Sequence, residues 1–164
     1  MSFQKQVNAN QALGNVGQIS KAHHSFLNVI PAIAADDFVK VGSFVQSTAA
    51  ATNENEVIGA SGKAISGSIL GVVVRDSLKV AADSTATLAV KKGENCAILT
   101  EGSIFIEVNA IAKKGQYVFL KDTDGSLGFD NTATKASYTY TGFRVSKGNE
   151  TDARGVIEIT TARA

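Results

Sequence analysis

The sequence predicts a mainly β protein, a compact antiparallel β-sandwich or barrel of about nine short strands with an extended N-terminal arm. From Phe38 onward, short apolar runs rich in β-branched and aromatic residues are separated by turn residues, a pattern typical of strands. No helical stretch lies between these runs, which argues against the βαβ units of parallel sheets. The residues before Phe38 are polar and loosely patterned. We therefore divide the chain into an arm, residues 1–37, and a β domain, residues 38–164.

The predicted strands are short, and turn residues separate them along the chain. A domain of this size can be supported by a single hydrophobic core. In chain order, the predicted strands are Phe38–Val45, Ile69–Arg75, Thr85–Val90, Ala97–Thr100, Ile104–Val108, Tyr117–Lys121, Leu127–Phe129, Tyr138–Val145 and Val156–Thr160.

Two turns and one sheet face follow from local chemistry. Asp124-Gly125 lies between two strands and predicts a tight hairpin, because Gly readily adopts the positive φ angle that such turns need. Glu101-Gly102-Ser103 separates two further runs in the same way. Within 104–108, alternation places Ile104, Ile106 and Val108 on one face, which we expect to meet the core, while Phe105 and Glu107 face the other way.

Three surface segments are predicted between the strands. Lys91-Lys92-Gly93 and Lys113-Lys114-Gly115 are interpreted as turns with solvated lysines, with contact to a phosphate or a partner carboxylate as the alternative. Residues 47–67 contain an Ala/Asn/Glu stretch followed by a Gly/Ser-rich stretch and are predicted to form a long surface loop.

Composition gives no support to several classes of function. The chain has 16 basic and 15 acidic residues, so its net charge of +1 supplies no general attraction for nucleic acid or an anionic membrane. No segment approaches the ~20 apolar residues of a membrane span, and no signal peptide is apparent, so we expect a soluble protein made in the cytoplasm. The single Cys96 lies in an apolar run and is predicted to be a buried, inert thiol.

No catalytic, metal or cofactor signature is present, and we predict that the protein is not an enzyme. His23 and His24 are adjacent and are interpreted as solvated or interface residues, and Asp36-Asp37 as a cap on the turn into the first strand. A pocket that combines a histidine with Asp36 would favour an enzyme instead. The aromatic residues of 138–143 lie near Arg144; they are interpreted as an ordinary strand, with base stacking as the alternative.

Apolar residues in the arm are too dispersed to form a local core. Pro31 disfavours a continuous helix through the apolar positions between residues 26 and 33. Such a segment gains stability when it lies along another surface, its own domain or a neighbouring subunit. We therefore predict that the partner-binding residues are Phe3, Val7, Leu13, Val16, Ile19, Phe26 and Leu27.

Several segments together resemble the structural cement proteins that decorate the capsids of tailed bacteriophages. The resemblance extends in order over most of the chain and consists of individually common motifs. The segments that carry it are Met1-Ser2-Phe3-Gln4 with Val7-Asn8, and 39–45, 70–75, 102–106 and 114–119.

The resemblance implies a structural virion protein without catalytic activity or cofactors. It would bind the outer surface of an assembled icosahedral capsid and bridge neighbouring subunits of the phage major capsid protein. Self-association as a homo-oligomer on the capsid is expected, with synthesis in the host cytoplasm and neither nucleic acid nor membrane as a partner. The alternative is a carbohydrate-binding or fibre-associated β module of the virion, which clustered exposed aromatic side chains would favour; three Tyr, eight Phe and no Trp argue against it.

Overall fold

The computed structural model describes residues 14–20, 27–48, 55–75, 81–82, 88–149 and 154–161. These residues form thirteen strands and no helix, so none of them belongs to a helix that could cross a membrane. The strands are β1 Asn28–Ala34, β2 Phe38–Lys40, β3 Phe44–Ser47, β4 Glu56–Gly59, β5 Ile69–Val73, β6 Ala81–Ala82, β7 Leu88–Lys91, β8 Asn95–Glu101, β9 Ser103–Val108, β10 Tyr117–Lys121, β11 Leu127–Asp130, β12 Tyr138–Lys147 and β13 Gly155–Thr161.

The strands form three sheets, and the predicted mainly β fold is confirmed. Strands β1-β4-β3-β5-β8 close into a barrel, β11-β10-β12-β13-β9 form an open five-stranded sheet, and β2-β7-β6 form a small third sheet. The described pairings are antiparallel except for that between β1 and β4, where Ile33 lies beside Glu56 and Ala34 beside Val57 in parallel. The fold therefore combines a barrel with a packed sheet.

Two apolar clusters hold these sheets together. Small and β-branched side chains of the barrel strands and of β2 and β7, such as Ala34, Val57 and Val73, form one cluster. The other cluster lies between the barrel and the five-stranded sheet, where the rings of Phe44 and Phe143 meet edge to face with centroids 5.6 Å apart. Ile104, Ile106 and Val108 belong to this second cluster, so the predicted core face of β9 is confirmed.

The two predicted turns have different outcomes. Leu120 pairs with Leu127 across the turn, and Gly125 has a φ of 63°, so the hairpin between β10 and β11 is confirmed. The turn at Gly102 does not join two paired strands as the turn at Gly125 does, so this expectation was wrong. Strand β8 belongs to the barrel and β9 to the five-stranded sheet. Gly102, with a φ of 129°, lets the chain cross from one sheet to the other.

Several predicted boundaries need correction. The run 38–45 is two strands, because a turn at 41–43 separates β2 from β3. The predicted loop 47–67 contains β4, which pairs with β3 on one side and β1 on the other. The four residues of β4 are too few to show a clear alternating pattern, and their position between two strands is decided by the barrel.

Strand β1 lies in the part of the chain that was assigned to the arm. Its residues Ala32 and Ala34 are buried in the barrel, so the predicted boundary after residue 37 separates one barrel strand from the others. Pro31 lies opposite Ala97 of β8, in the half of β1 that β4 does not pair with. On that side the strand needs no backbone donor, which explains how it accommodates proline.

Substitution of Gly125 by alanine is expected to destabilise the protein strongly. A Cβ atom at Gly125 would overlap the carbonyl group of Ala60, and the backbone there is left-handed. We expect a loss of at least about 3 kcal/mol in the free energy of unfolding, measured by urea denaturation. Gly115→Ala is the matched control, because Gly115 also has a positive φ but nothing lies within 4 Å of the added Cβ. The control isolates the conformational cost of about 1–2 kcal/mol. Equal losses in the two variants would contradict a rigid contact between Gly125 and Ala60.

Candidate interaction surfaces

Residues 14–20 extend the five-stranded sheet at its β9 edge. The amide of Gly17 donates to the carbonyl of Phe105 over 2.8 Å, the amide of Phe105 donates to the carbonyl of Gln18 over 3.1 Å, and the amide of Ser20 donates to the carbonyl of Ser103 over 2.8 Å. The other side of the segment also makes contact, since the amide of Arg75 donates to the carbonyl of Gly17 over 2.7 Å. This part of the arm therefore joins the barrel to the sheet.

The same segment covers a side chain that sequence alternation had placed outside the core. Phe105 lies on the face of β9 opposite Ile104 and Ile106, yet it is only 7% exposed. Gly14 lies so close to the Phe105 ring that a Cβ atom would overlap it. The absence of a side chain at Gly14 was the only signal in the sequence for this contact.

The described arm residues fall into two groups. Ile19 forms an isolated bridge with Ile104 and packs against the core, and Val16 approaches Gly42 at the barrel. Leu27 precedes β1 and is 55% exposed, and Val29, two residues along, is 38% exposed. Thus Val16 and Ile19 contact this chain's own domain, while Leu27 remains available for a partner. The predicted binding residues Phe3, Val7, Leu13 and Phe26 lie outside the described residues.

A cleft of about 680 Å³ separates the barrel from one end of the five-stranded sheet. Its walls are mixed, with Val16, Leu88 and Leu127 among the apolar residues and Lys40 and Glu107 among the charged ones. A neighbouring recess of about 420 Å³ contains Asp36, Asp37 and Lys63. No catalytic arrangement is visible in either recess among the described residues.

The carboxylate of Asp36 has a structural role. One of its oxygens accepts a hydrogen bond of 2.8 Å from the amide of Gly59, and the other forms an ion pair with Lys63. Asp36 thus ties the turn before β2 to the end of β4. Asp36-Asp37 was predicted to cap the turn into the first strand, whereas the amide that binds Asp36 belongs to β4, 23 residues along the chain. His23 and His24 lie outside the described residues.

The described residues contain no cluster of three or more His, Cys, Asp or Glu side chains that could hold a metal ion. Cys96 is buried, as predicted, and burial raises the pKa of its thiol, which disfavours the reactive thiolate. Turns are present at 92–93 and 114–115, as predicted, and Lys91, which ends β7, is exposed together with Lys92, Lys113 and Lys114.

The outer face of the five-stranded sheet carries all three tyrosines of the chain. Phe119 pairs with Tyr140 and Lys121 pairs with Tyr138, so these side chains share the face opposite the core residues of β10. The rings of Tyr117 and Tyr140 meet edge to face with centroids 5.4 Å apart and an interplanar angle of 71°. Burial is the largest influence on the Tyr140 hydroxyl and raises its pKa.

Cationic side chains pack on these rings. The guanidinium of Arg144 lies 4.0 Å from the centre of the Tyr117 ring and donates to the Tyr117 hydroxyl, and the ammonium of Lys135 lies 4.4 Å from the centre of the Tyr138 ring. We call Tyr117, Tyr138, Tyr140, Lys135 and Arg144 the tyrosine face. Sequence reasoning singled out part of this group but could not place Tyr117, because the register between β10 and β12 brings it there.

Comparison with known families decides what kind of protein carries these surfaces. Residues 3–162 match the family model described as structural cement protein, with E217 gp24 and Pam3 gp6 as its named examples. The chain belongs to this family. The protein is therefore a structural, capsid-associated protein of a phage, and its location is the virion. The suspected family resemblance is thus confirmed over nearly the whole chain.

Comparison with solved structures supports the fold of this cement protein. It is similar to a chain in the structure titled "The capsid of Myoviridae Phage XM1", with a TM-score of 0.60 and 16% sequence identity. The similarity covers 98% of the cement protein and 97% of that chain. At this identity the comparison shows a shared fold. No curated protein matched the sequence.

Proposed function

We propose that this cement protein binds the outer surface of an assembled icosahedral capsid, bridges neighbouring subunits of the major capsid protein and stabilises the shell. The observation that carries the proposal is the family match across residues 3–162. Self-association as a homo-oligomer on the capsid and synthesis in the host cytoplasm belong to the same proposal.

The architecture suits a protein that must hold its shape on a lattice. The apolar cluster that contains Phe44 and Phe143 lies between the barrel and the five-stranded sheet, and residues 14–20 add backbone hydrogen bonds that join both sheets. Interiors packed in this way resist deformation, so a load applied at one surface is transmitted to another. A bridge between capsid subunits needs this rigidity and no reactive groups.

The start of β1 offers an apolar contact for the shell. Leu27, immediately before β1, and Val29, within it, are both exposed, and we call these two apolar residues the strip. Burial of one such side chain contributes about 1.5–3 kcal/mol. We propose that this strip, together with Phe3, Val7, Leu13 and Phe26, contacts the major capsid protein.

The alternative function as a carbohydrate-binding module is not favoured by the ring geometry. The three tyrosines do cluster on one face. However, the rings of Tyr117 and Tyr140 cross at 71°, and all three tyrosines are partly buried. They therefore do not form the exposed flat platform that stacking against a sugar ring would require.

Addition of the protein to shells that lack it is expected to raise the temperature and the osmotic stress at which the shells break. Binding to the assembled shell alone stabilises it by mass action, by about 2.7 kcal/mol per site at a free concentration of 100 times Kd. Shell breakage would be followed by light scattering and by release of packaged DNA. The effect should saturate with bound protein, and heat-denatured protein serves as the control. Equal breakage with and without saturating bound protein would contradict the stabilising role.

A further inference from the structure

We propose that the tyrosine face is a docking surface for a carboxylate-bearing segment of a capsid subunit. The inference rests on the proposed function, because it takes the partner from the capsid, and it deepens that function by naming the chemistry of one contact.

The residue types are those that dominate the energetics of protein interfaces. Tyrosine and arginine are enriched among the residues whose truncation weakens binding most. All three tyrosines of the chain occur on this one face, and Arg144 stacks on one of them. The rings already pack against one another, and the centroids of the Tyr140 and Phe119 rings are also 5.6 Å apart. Little side-chain entropy therefore remains to be lost on binding.

The charges of the face identify the partner as acidic. Lys147 pairs with the buried carboxylate of Glu158 at 3.6 Å, and Lys121 pairs with Asp124 at 3.4 Å. Among the described residues, Lys135 and Arg144 have no such carboxylate partner within ion-pair distance. The face therefore carries two cations whose charge is not neutralised by a salt bridge.

Asp130, which lies opposite Tyr117 on β11, is already engaged by other groups. The backbone amide of Thr132 donates to a carboxylate oxygen of Asp130 over 3.1 Å, and the Thr132 hydroxyl donates to the same oxygen over 2.9 Å. These hydrogen bonds lower the pKa of Asp130. Lys135 also acts on Asp130 electrostatically, yet it forms no ion pair with it and stacks on Tyr138 instead.

Two buried polar groups on this face make no hydrogen bond of ordinary geometry. Among the described residues, neither Nε of Arg144 nor the hydroxyl oxygen of Tyr140 has a partner within normal distance and angle, although the Arg144 guanidinium is close enough to the Tyr140 hydroxyl to lower its pKa against the larger effect of burial. A carboxylate supplies only acceptors, and it can bind a guanidinium through two parallel hydrogen bonds. A carboxylate that enters beside Arg144 with a small rotamer change would satisfy these donors, and such changes are common at interfaces.

The test combines shell binding with chemical labelling of the full-length protein. The chain has no tryptophan, and its tyrosines all lie on this face, so nitration by tetranitromethane, read by mass spectrometry, reports on the face directly. We expect tyrosine nitration in the free protein, with Tyr140, whose hydroxyl is buried, reacting least, and at least threefold less nitration when the protein is bound to shells. We also expect Lys135→Glu and Arg144→Gln each to weaken shell binding about fivefold or more. The control variant Lys92→Glu, which changes an exposed turn lysine, should bind within twofold of wild type.

The outcomes separate this inference from the function on which it rests. If wild-type protein does not bind shells, the proposed function and the inference both fail. If it binds while nitration is unchanged and Lys135→Glu binds normally, the function stands and the inference is overturned.

Tyrosines that resist nitration in the free protein would show that this chain already covers the face. A decrease in nitration with rising protein concentration, in the absence of shells, would assign the face to a second copy of the chain. Either of these two results for the free protein overturns the proposal. Arg144→Gln removes packing on Tyr117, so its melting curve is measured as well. If Arg144→Gln unfolds, the shell binding of Lys135→Glu alone decides between the outcomes.

Discussion

A variant that begins at Asp36 is expected to lose cooperative folding. It lacks β1, which pairs with β8 from Asn28 to Ile33 and with β4 at Ile33 and Ala34. Removal of this strand opens the barrel and leaves the edges of β4 and β8 without a partner. It also removes Ala32 and Ala34 from their apolar cluster and exposes the rest of that cluster. The loss is comparable to the whole stability of a typical domain, about 5–15 kcal/mol. Circular dichroism and thermal melting would show a weak, broad transition or aggregation.

The matched control is a variant that begins at Gly14. It keeps β1 and the hydrogen bonds of residues 17–20 to β9, and we expect it to melt cooperatively. A variant that begins at Asp36 and melts cooperatively, close to the melting temperature of the full-length protein, would contradict the role of β1. That result would support the boundary after residue 37.

Deletion of residues 2–13 is expected to weaken binding to shells at least about tenfold. The deleted segment contains Phe3, Val7 and Leu13, and the loss of one buried apolar contact of about 1.4 kcal/mol already produces that change. The deletion stops before Gly14, so that the segment on β9 and the barrel strand β1 remain intact. Affinity would be measured by sedimentation of shells titrated with the variant.

Two controls accompany the deletion. The melting temperature of the truncated protein should stay within a few degrees of wild type, which separates binding from folding. A variant that keeps the segment but replaces Phe3, Val7 and Leu13 with serine should show a similar loss of affinity. Unaltered binding of both variants would move the interface to the β domain, with the Leu27 and Val29 strip and the tyrosine face as the remaining candidates.

The candidate site was predictable only in part. The sequence indicated apolar arm residues that need another surface, but it could not say which surface each one meets. The structure places Val16 and Ile19 against this chain's own domain and leaves Leu27 exposed. A sparse apolar pattern is the same for a segment that docks on its own domain and for one that docks on a neighbour, so the choice depends on the shape of the surface offered.

The sequence by itself determined the features that arise from neighbouring residues. Alternation set the core face of β9, the Asp124-Gly125 pair set the hairpin between β10 and β11, and the apolar run around Cys96 set its burial. Each follows from side-chain direction, backbone preference or hydrophobicity over a few residues. The mainly β class follows from the repetition of such signals along the chain.

Only the tertiary structure decided the features that join distant segments. Pro31 became part of a barrel strand because β4 leaves one side of β1 unpaired there, and Gly102 became a crossing between sheets instead of a hairpin turn. The tyrosine face arose from the register that brings Arg144 opposite Tyr117. Such pairings depend on which strands become neighbours and in what register, and local sequence patterns carry little information about either because the same short strand can pair with many partners.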